Sequence, residues 1–441
     1  MSRGSDPRQI IDDAPLSRLQ LVAIAIAVGL NALDGFDVLS ISFAAPGIAK
    51  EWNIDRAALG VVLSMELIGM AVGSVLFGGI ADRIGRRRTI LACLVVMAFG
   101  MAMVPGASGI YQLSLWRVLT GLGIGGMLAA TAAITAEFAN RKRRNLALAI
   151  MTIGYPIGAV VGGMISAVLL AHYDWRAVFI FGAVVTVCFL PLVLFFVPEP
   201  VQFLLVRRDG GTLDRVNRLL GRMGHQPVAE LPPVTRDEEK SSIADILKPG
   251  LLSTTLLVTT AYFMHIVTFY FILKWAPKIV VDIGYAPADA AGVLVWANIG
   301  GALGGGIFGL LSQRFPLRGM TMLVLLVSFC MVTLFGAVGV TTLQGLSLLA
   351  FAAGLFTNSG VVGLYTIFAH AFPTHARGTG TGFAIGVGRG GAALSPILAG
   401  VLFQAGFALP AVAAVLGAGS LVAALALMGV KLRNGDGSKH A

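Results

Sequence analysis

Charge is the scarcest property of this chain. Asp, Glu, Lys and Arg make up 12% of its 441 residues, about half the share of an ordinary soluble domain. A domain folded in water needs a charged surface, so no large extramembrane domain is expected. Cysteine is nearly absent: Cys93, Cys188 and Cys330 lie singly inside apolar runs, without the spacing of a disulfide framework or a zinc site. A phosphate loop, a metal-ligand pattern and a nucleophile–base pair are missing too. Enzymatic chemistry, a metal and any other cofactor are therefore not expected. What abounds is apolar: 56% hydrophobic residues and a mean hydropathy of +0.85. Glycine is frequent, at 56 residues, and in apolar helices it permits close approach of neighbours. The chain reads as an all-α integral membrane protein with the lipid bilayer as its main solvent.

Runs of bilayer-spanning length fall at 19–42, 56–80, 89–107, 111–136, 146–170, 175–197, 251–276, 288–312, 319–339, 343–369, 379–403 and 408–430. These twelve spans predict a cytoplasmic N-terminal tail (1–18), an N-terminal six-helix bundle (19–197) and a cytoplasmic linker loop (198–250). A C-terminal six-helix bundle (251–430) and a cytoplasmic C-terminal tail (431–441) complete the plan. The first run carries acids in its middle and is longer than a signal-peptide core, so it is expected to be retained as a span.

The formal charge of +10 would suggest nucleic acid in a soluble protein, but its distribution assigns it to topology. With both termini inside, most of the 32 Lys and Arg fall on the cytoplasmic side. The exceptions are Lys50, Arg56, Arg176, Lys274 and Lys278 on the outer side, and Arg117 and Arg389 within spans. That asymmetry is the positive-inside rule, and no nucleic-acid partner is expected.

The two halves repeat each other. Gly78-Gly-Ile-Ala-Asp82-Arg83-Ile-Gly85-Arg86-Arg87 follows the second span, and a worn copy, Gly309-Leu-Leu-Ser-Gln313-Arg314-Phe-Pro316-Leu-Arg318, follows the eighth, 231 residues later. The ends of the fourth and tenth spans, 136–141 and 370–375, align at a similar displacement. Such repeats place binding sites near the midplane. In the first loop, Asp82 near a helix end can pair with arginines and with a neighbouring helix terminus, and Gly85 permits a tight turn. Asp82, Arg83, Gly85 and Arg86, with Glu137 at the end of the fourth span, are the expected cytoplasmic gate; Glu137 is assigned to the arginines 141–144. The other reading of the basic residues is a topology anchor.

Ionisable groups at bilayer depth are functional candidates by default. Asp34 and Asp37 in Asp34-Gly35-Phe36-Asp37 share one helical face, and two acids so placed raise at least one apparent pKa. They are read as proton acceptors, or else as a structural pair tied to Arg117. Counted from the span ends, Asp34 is roughly 8 and Arg117 roughly 6 residues deep, within a few ångströms at about 1.5 Å per residue, so the two are expected to pair. Glu66 is a further proton candidate. Arg389 in Gly386-Val-Gly-Arg389-Gly-Gly391 offers a fork for a carboxylate, or packs against carbonyls. His265, Asn298 and Asn358 are candidates for a substrate hydroxyl or for helix–helix bonding, and Phe36, Phe269, Tyr270 and Trp296 for ring stacking or plain packing.

The loop at 78–87, in its place between the second and third spans, resembles the signature loop of the major facilitator superfamily. Arg117-Val-Leu-Thr-Gly121-Leu-Gly123 and Pro198-Glu199-Pro200 resemble two further motifs of it. Gly154-Tyr155-Pro156 matches the antiporter glycine-proline motif only in part, since Tyr155 stands for its glycine. Leu33-Asp34-Gly35-Phe36-Asp37-Val38 is similar to the first-span motif of the aromatic acid:proton symporter family. That resemblance implies proton-coupled import of an aromatic carboxylate such as protocatechuate, 4-hydroxybenzoate, benzoate or vanillate, by alternating access in a bacterial inner membrane. It implies proton roles for Asp34 and Asp37, substrate or gating contacts for Arg117 and Arg389, and a latch at Asp82. The partners it implies are the small acid and protons, with the protein acting as a monomer. Lys274 departs from the family and is expected at the outer mouth, favouring a dianionic or larger substrate. Import of another organic anion, a small dicarboxylate or sugar acid, and proton-driven export or antiport stay open as alternatives.

Overall fold

In lipid every backbone polar group must be bonded within the protein, which leaves apolar runs of this length one option, the helix. The computed structural model describes residues 6–207, 210–232, 243–337, 342–373 and 376–430, apart from the side chains of 78, 79 and 82. Among the described residues, twelve helices are long and apolar enough to cross a membrane. They are span 1 (Arg18–Trp52), 2 (Arg56–Ile84), 3 (Arg86–Met103), 4 (Ile110–Phe138), 5 (Arg144–His172), 6 (Arg176–Phe196), 7 (Pro249–Asp282), 8 (Pro287–Leu311), 9 (Leu317–Ala337), 10 (Leu343–Ala371), 11 (Arg377–Gln404) and 12 (Leu409–Met428). Each predicted run overlaps one of them.

Two helix ends differ most from the hydropathy reading. Span 1 continues ten residues beyond 42, through the apparent stop Pro46-Gly47, because proline removes one backbone bond while Gly47 lets Trp175 pack directly on the helix. Span 7 absorbs Pro277 and ends at Asp282, which pairs with Lys278 one turn back. The tail and linker also hold short helices, Pro7–Asp13, Val201–Val206, Thr212–Arg222 and Ile243–Ile246.

By their internal contacts the residues group into two units. Unit 1 is Met1–Val38, Gly69–Ala159 and Phe179–Asp237; unit 2 is Leu39–Ile68, Val160–Val178 and Glu238–Ala441. The cuts cross spans 1, 2, 5 and 6. Within unit 2, the segments from spans 1, 2, 5 and 6 are tied together and to spans 7–12. Arg176 grips Glu51 at 2.6 and 2.8 Å, Trp175 donates to the same carboxylate at 2.7 Å, and Arg56 lies 3.4 Å from Asp282. Gly60 and Gly400 bring spans 2 and 11 into backbone contact.

The internal repeat is visible in how each unit packs. In unit 1, Gly69 and Gly73 of span 2 lie directly against the carbonyls of Val118 and Leu122 in span 4; in unit 2, Gly300 and Gly304 of span 8 lie against those of Phe351 and Leu355 in span 10. The glycines are 231 residues apart, as are the two loops. Gly158 against the Ala32 carbonyl is likewise matched by Gly391 against the Phe263 carbonyl. A Cβ at any of these positions overlaps a backbone oxygen, so the axes could not stay so close with alanine. Gly306, two residues past Gly304, faces open space. Gly304→Ala is therefore expected to cost about 1–3 kcal/mol by overpacking, whereas Gly306→Ala gains up to about 1 kcal/mol of helix propensity. Thermal denaturation of the two purified variants in detergent tests the contrast.

Candidate functional site

Three clusters of polar side chains interrupt the apolar interior. The first, in unit 1, is built on span 1. Gly35 is pressed onto the Tyr155 carbonyl of span 5, which seats the neighbouring Asp34 and Asp37 in the interior, 2% and 0% exposed. Arg117 of span 4 is wholly buried. It donates to the Asp37 main-chain carbonyl at 3.0 Å and to the Met101 sulfur at 3.2 Å, with its guanidinium 5.3 Å from the Phe179 ring centre. It thus bonds span 1 at the Asp37 carbonyl, one turn beyond Asp34. The Asp37 carboxylate is directed toward Gly182 of span 6, and Phe36 packs edge-on against Phe181 at 5.3 Å.

The second cluster lies in unit 2. Lys274 does not stand at an outer mouth: span 7 runs on past it, and it is 0% exposed with its Nζ 3.6 Å from Oε2 of the equally buried Glu66. Tyr270, one turn earlier, feels the charge of Glu66 and of Arg389. Arg389 is half-buried on span 11, and the hydroxyls of Tyr262 and Tyr365 are bonded at 3.0 Å. Gly388 makes room for the Tyr262 ring. Tyr262 and Tyr365 escaped the sequence reading. The signal was there for Tyr262, which shares a helix face with Tyr270 eight residues on; Tyr365 joins only through the packing of span 10. Together these residues present one cation, three phenols and a buried ion pair. That set can hold a carboxylate by its charge and ring hydroxyls by hydrogen bonds.

The remaining candidates in unit 2 bond or pack against residues of their own or neighbouring helices. His265 is 0% exposed; its Nε2 faces the Thr357 carbonyl at 2.8 Å and so carries the proton, and its Nδ1 accepts from Ser420 at 2.9 Å. The amide nitrogen of Asn298 bonds Leu294 on its own helix, and that of Asn358 bonds the Gly301 carbonyl at 2.6 Å. Phe269 stacks edge-on with Tyr270 at 5.4 Å. Trp296 is 49% exposed and packs edge-on against Phe351 at 6.3 Å.

The third cluster, in unit 1, surrounds the 78–87 loop. The Asp82 side chain lies outside the described residues. Gly85 adopts φ +109°, a conformation open to glycine, and starts span 3 without a capping side chain of its own. The cap comes from Glu199, whose Oε1 accepts from the main-chain N–H groups of Arg86 and Arg87 at 2.5 and 3.4 Å. Arg86 pairs with Glu137 at 3.3 Å and covers the Phe203 ring. Glu137 thus meets Arg86, while Arg144 at the start of span 5 and Arg141 in the loop before it pair with Asp12 and Asp13. The N-terminal helix, unforeseen from sequence, supplies those acids. Arg83 is exposed, and its carbonyl accepts from Arg207 at 3.1 Å.

A family model described as the Major Facilitator Superfamily matches residues 27–332. The chain belongs to the major facilitator superfamily. It is accordingly a multi-pass membrane transporter and not an enzyme. A gallate transporter of Pseudomonas putida is 29% identical over 96% of this chain and 94% of its own length. The 4-hydroxybenzoate transporter PcaK of the same organism is 30% identical over 89% of this chain and 88% of its own. The inward open xylose transporter XylE from E. coli superposes with a TM-score of 0.73 at 16% identity, over 95% of this chain and 98% of that one, which shows the superfamily fold.

Within this transporter the buried Glu66–Lys274 pair is expected to be costly to break and cheap to replace. Lys274→Gln leaves a buried carboxylate without its cation and is expected to lose about 3–5 kcal/mol, while Lys274→Met combined with Glu66→Gln recovers most of that loss. Thermal melting of the single and double variants reads the coupling. At the loop, burial holds the Glu199 carboxyl above its ordinary value, against the pull of the Arg86 and Arg87 N–H groups. The folded protein then takes up this proton before the unfolded chain does. The cost of the charged form is present at neutral pH and is relieved as pH falls through the raised value. Relative to Glu199→Gln, the wild type should gain stability between pH 7 and 5. A constant difference in melting temperature across that range would show an unshifted carboxyl.

Proposed function

We propose that this transporter is a proton-coupled symporter that imports an aromatic carboxylate across a bacterial inner membrane. The observation that carries the reading is the second cluster: Gly388, next to Arg389, lies against the Tyr262 ring, whose hydroxyl is bonded to that of Tyr365 at 3.0 Å, which sets a carboxylate fork beside phenols suited to ring hydroxyls. It is supported by curated relatives that transport gallate and 4-hydroxybenzoate. Protocatechuate, 4-hydroxybenzoate, benzoate and vanillate are the substrates in scope, since each bears one carboxylate on a substituted or bare ring.

Arg389 takes the carboxylate, and the tyrosine hydroxyls and ring faces orient the aromatic body. The proton goes to Asp34 or Asp37, which share the interior of unit 1 with Arg117. Neutralising Asp37 weakens the field holding Arg117 against span 1. Glu66 is the alternative acceptor, and its protonation releases Lys274. In each case one charge is cancelled where another must move, which makes proton and substrate occupancy mutually dependent. Alternating access follows from rocking of the six-helix halves 19–197 and 251–430 about the linker 198–250, with Asp82, Arg83, Gly85, Arg86 and Glu137 as the gate on the cytoplasmic side. Both termini lie on that side, where the arginines concentrate, and the unit of function is the monomer.

The test is uptake of labelled protocatechuate into proteoliposomes, with and without an imposed inward proton gradient. Wild type should accumulate the label above equilibrium when the gradient is present. Asp34→Asn should lose gradient-driven accumulation, and Arg389→Ala should raise KM about tenfold or more, as expected for loss of a charge-assisted bond. Competition by aliphatic acids alone would move the substrate class, and gradient-driven efflux would reverse the coupling.

A further inference from the structure

The basic residues near the 78–87 loop do more than set topology. Topology needs positive charge on one side of the membrane, with no requirement that it converge. Here Arg87, Arg88, Arg207, Arg215, Arg218 and Arg222 all line one cavity of about 450 Å³ in unit 1. The helix Thr212–Arg222 contributes three of them at i, i+3 and i+7, one face, while Val216, Leu219 and Leu220 anchor the helix by burial. Arg87 and Arg207 are oriented by bonds to the carbonyls of Leu194 and Arg83. Among the described residues of the lining the one carboxylate is that of Glu199, whose Oε1 is engaged by the main-chain N–H groups of Arg86 and Arg87. The lining therefore keeps a large positive excess. Its other wall is apolar: Leu194 and Phe195, 47% and 68% exposed, end span 6, where hydrocarbon gives way to headgroups.

An arginine-rich pocket at that depth matches a group with several anionic oxygens, because guanidinium forks bind phosphate oxygens in pairs. Basic residues at this level are also drawn to anionic lipid. We propose that this cavity binds a phosphate-bearing anion, supplied either by the headgroup of an anionic phospholipid or by a soluble phosphate ester. The site is separate from the two clusters inside the membrane-spanning helices, adjoins the loop cluster through Arg87, Glu199 and Arg207, and stands whether or not the substrate is an aromatic acid. Occupied, it ties the linker helix to the end of span 6 and the start of span 3.

Native mass spectrometry of the full-length protein in detergent, titrated with phosphatidylglycerol, phosphatidylcholine or glycerol 3-phosphate, tests it. Phosphatidylglycerol is expected to bind in preference to phosphatidylcholine, with affinity falling as salt rises. The Arg215→Gln/Arg218→Gln/Arg222→Gln variant should bind it about a hundredfold more weakly. Binding of glycerol 3-phosphate alone, in competition with the lipid, would support the site and identify a soluble ligand as its source. Equal binding of both lipids with no binding of glycerol 3-phosphate, or a triple variant that binds like wild type, overturns the proposal. Should the triple variant melt at a lower temperature than wild type, the single Arg222→Gln variant replaces it, with about a fivefold loss expected.

Discussion

A charge moved from water into the interior of a membrane protein costs several kcal/mol unless a second charge or a set of dipoles meets it there. The few intramembrane charges of this transporter are placed accordingly. Glu66 and Lys274 meet each other out of solvent. Arg117 is met by a main-chain carbonyl of span 1, a sulfur and an aromatic face. Arg389, half-buried, lies among phenols. Each arrangement is a commitment that a proton or an anion can alter, and the helices around it must then repack. The energy that makes these groups expensive is also what allows a small ligand to move a large structure.

Glycine is the means by which the helices reach the required distances. Contacts of Gly69 and Gly73 with span 4, and of Gly300 and Gly304 with span 10, bring backbones to the separation at which any side chain would overlap a carbonyl. Packing of this kind replaces the hydrophobic effect, which has little force between helices in lipid. Its recurrence at one displacement in both units shows that the repeat is a packing rule as well as a pattern of letters. Gly35 does the same for the acidic pair: without close approach to Tyr155, Asp34 and Asp37 would stand further from the helices that enclose them.

At the loop, the same economy of charge operates nearer water. Gly85 opens span 3 in a conformation that removes its own capping side chain, and Glu199, more than a hundred residues on, supplies the missing acceptor. Arg86 links that cap to Glu137 of span 4. The loop is thus joined to the ends of spans 4 and 6 by two carboxylates that sequence proximity does not connect.

Composition and hydropathy determined the class and the twelve spans, because a membrane helix must satisfy its backbone bonds locally and its apolar length is written in consecutive residues. The repeat and the presence of acids and arginines at depth were legible for the same reason. Helix ends were less so: Pro46 and Pro277 look like stops, and only packing against Trp175 and the Lys278–Asp282 pair explains why spans 1 and 7 continue. Partner choice was decided by tertiary structure alone. Lys274 reads as an outer cation until span 2 places Glu66 against it, Glu137 reads as a partner of 141–144 until Arg86 reaches it, and Tyr365 has no signal until span 10 packs beside Tyr262. A sequence carries a residue's depth along its own helix, but which faces of which helices meet is set by rotations and crossing distances that exist only in the folded bundle.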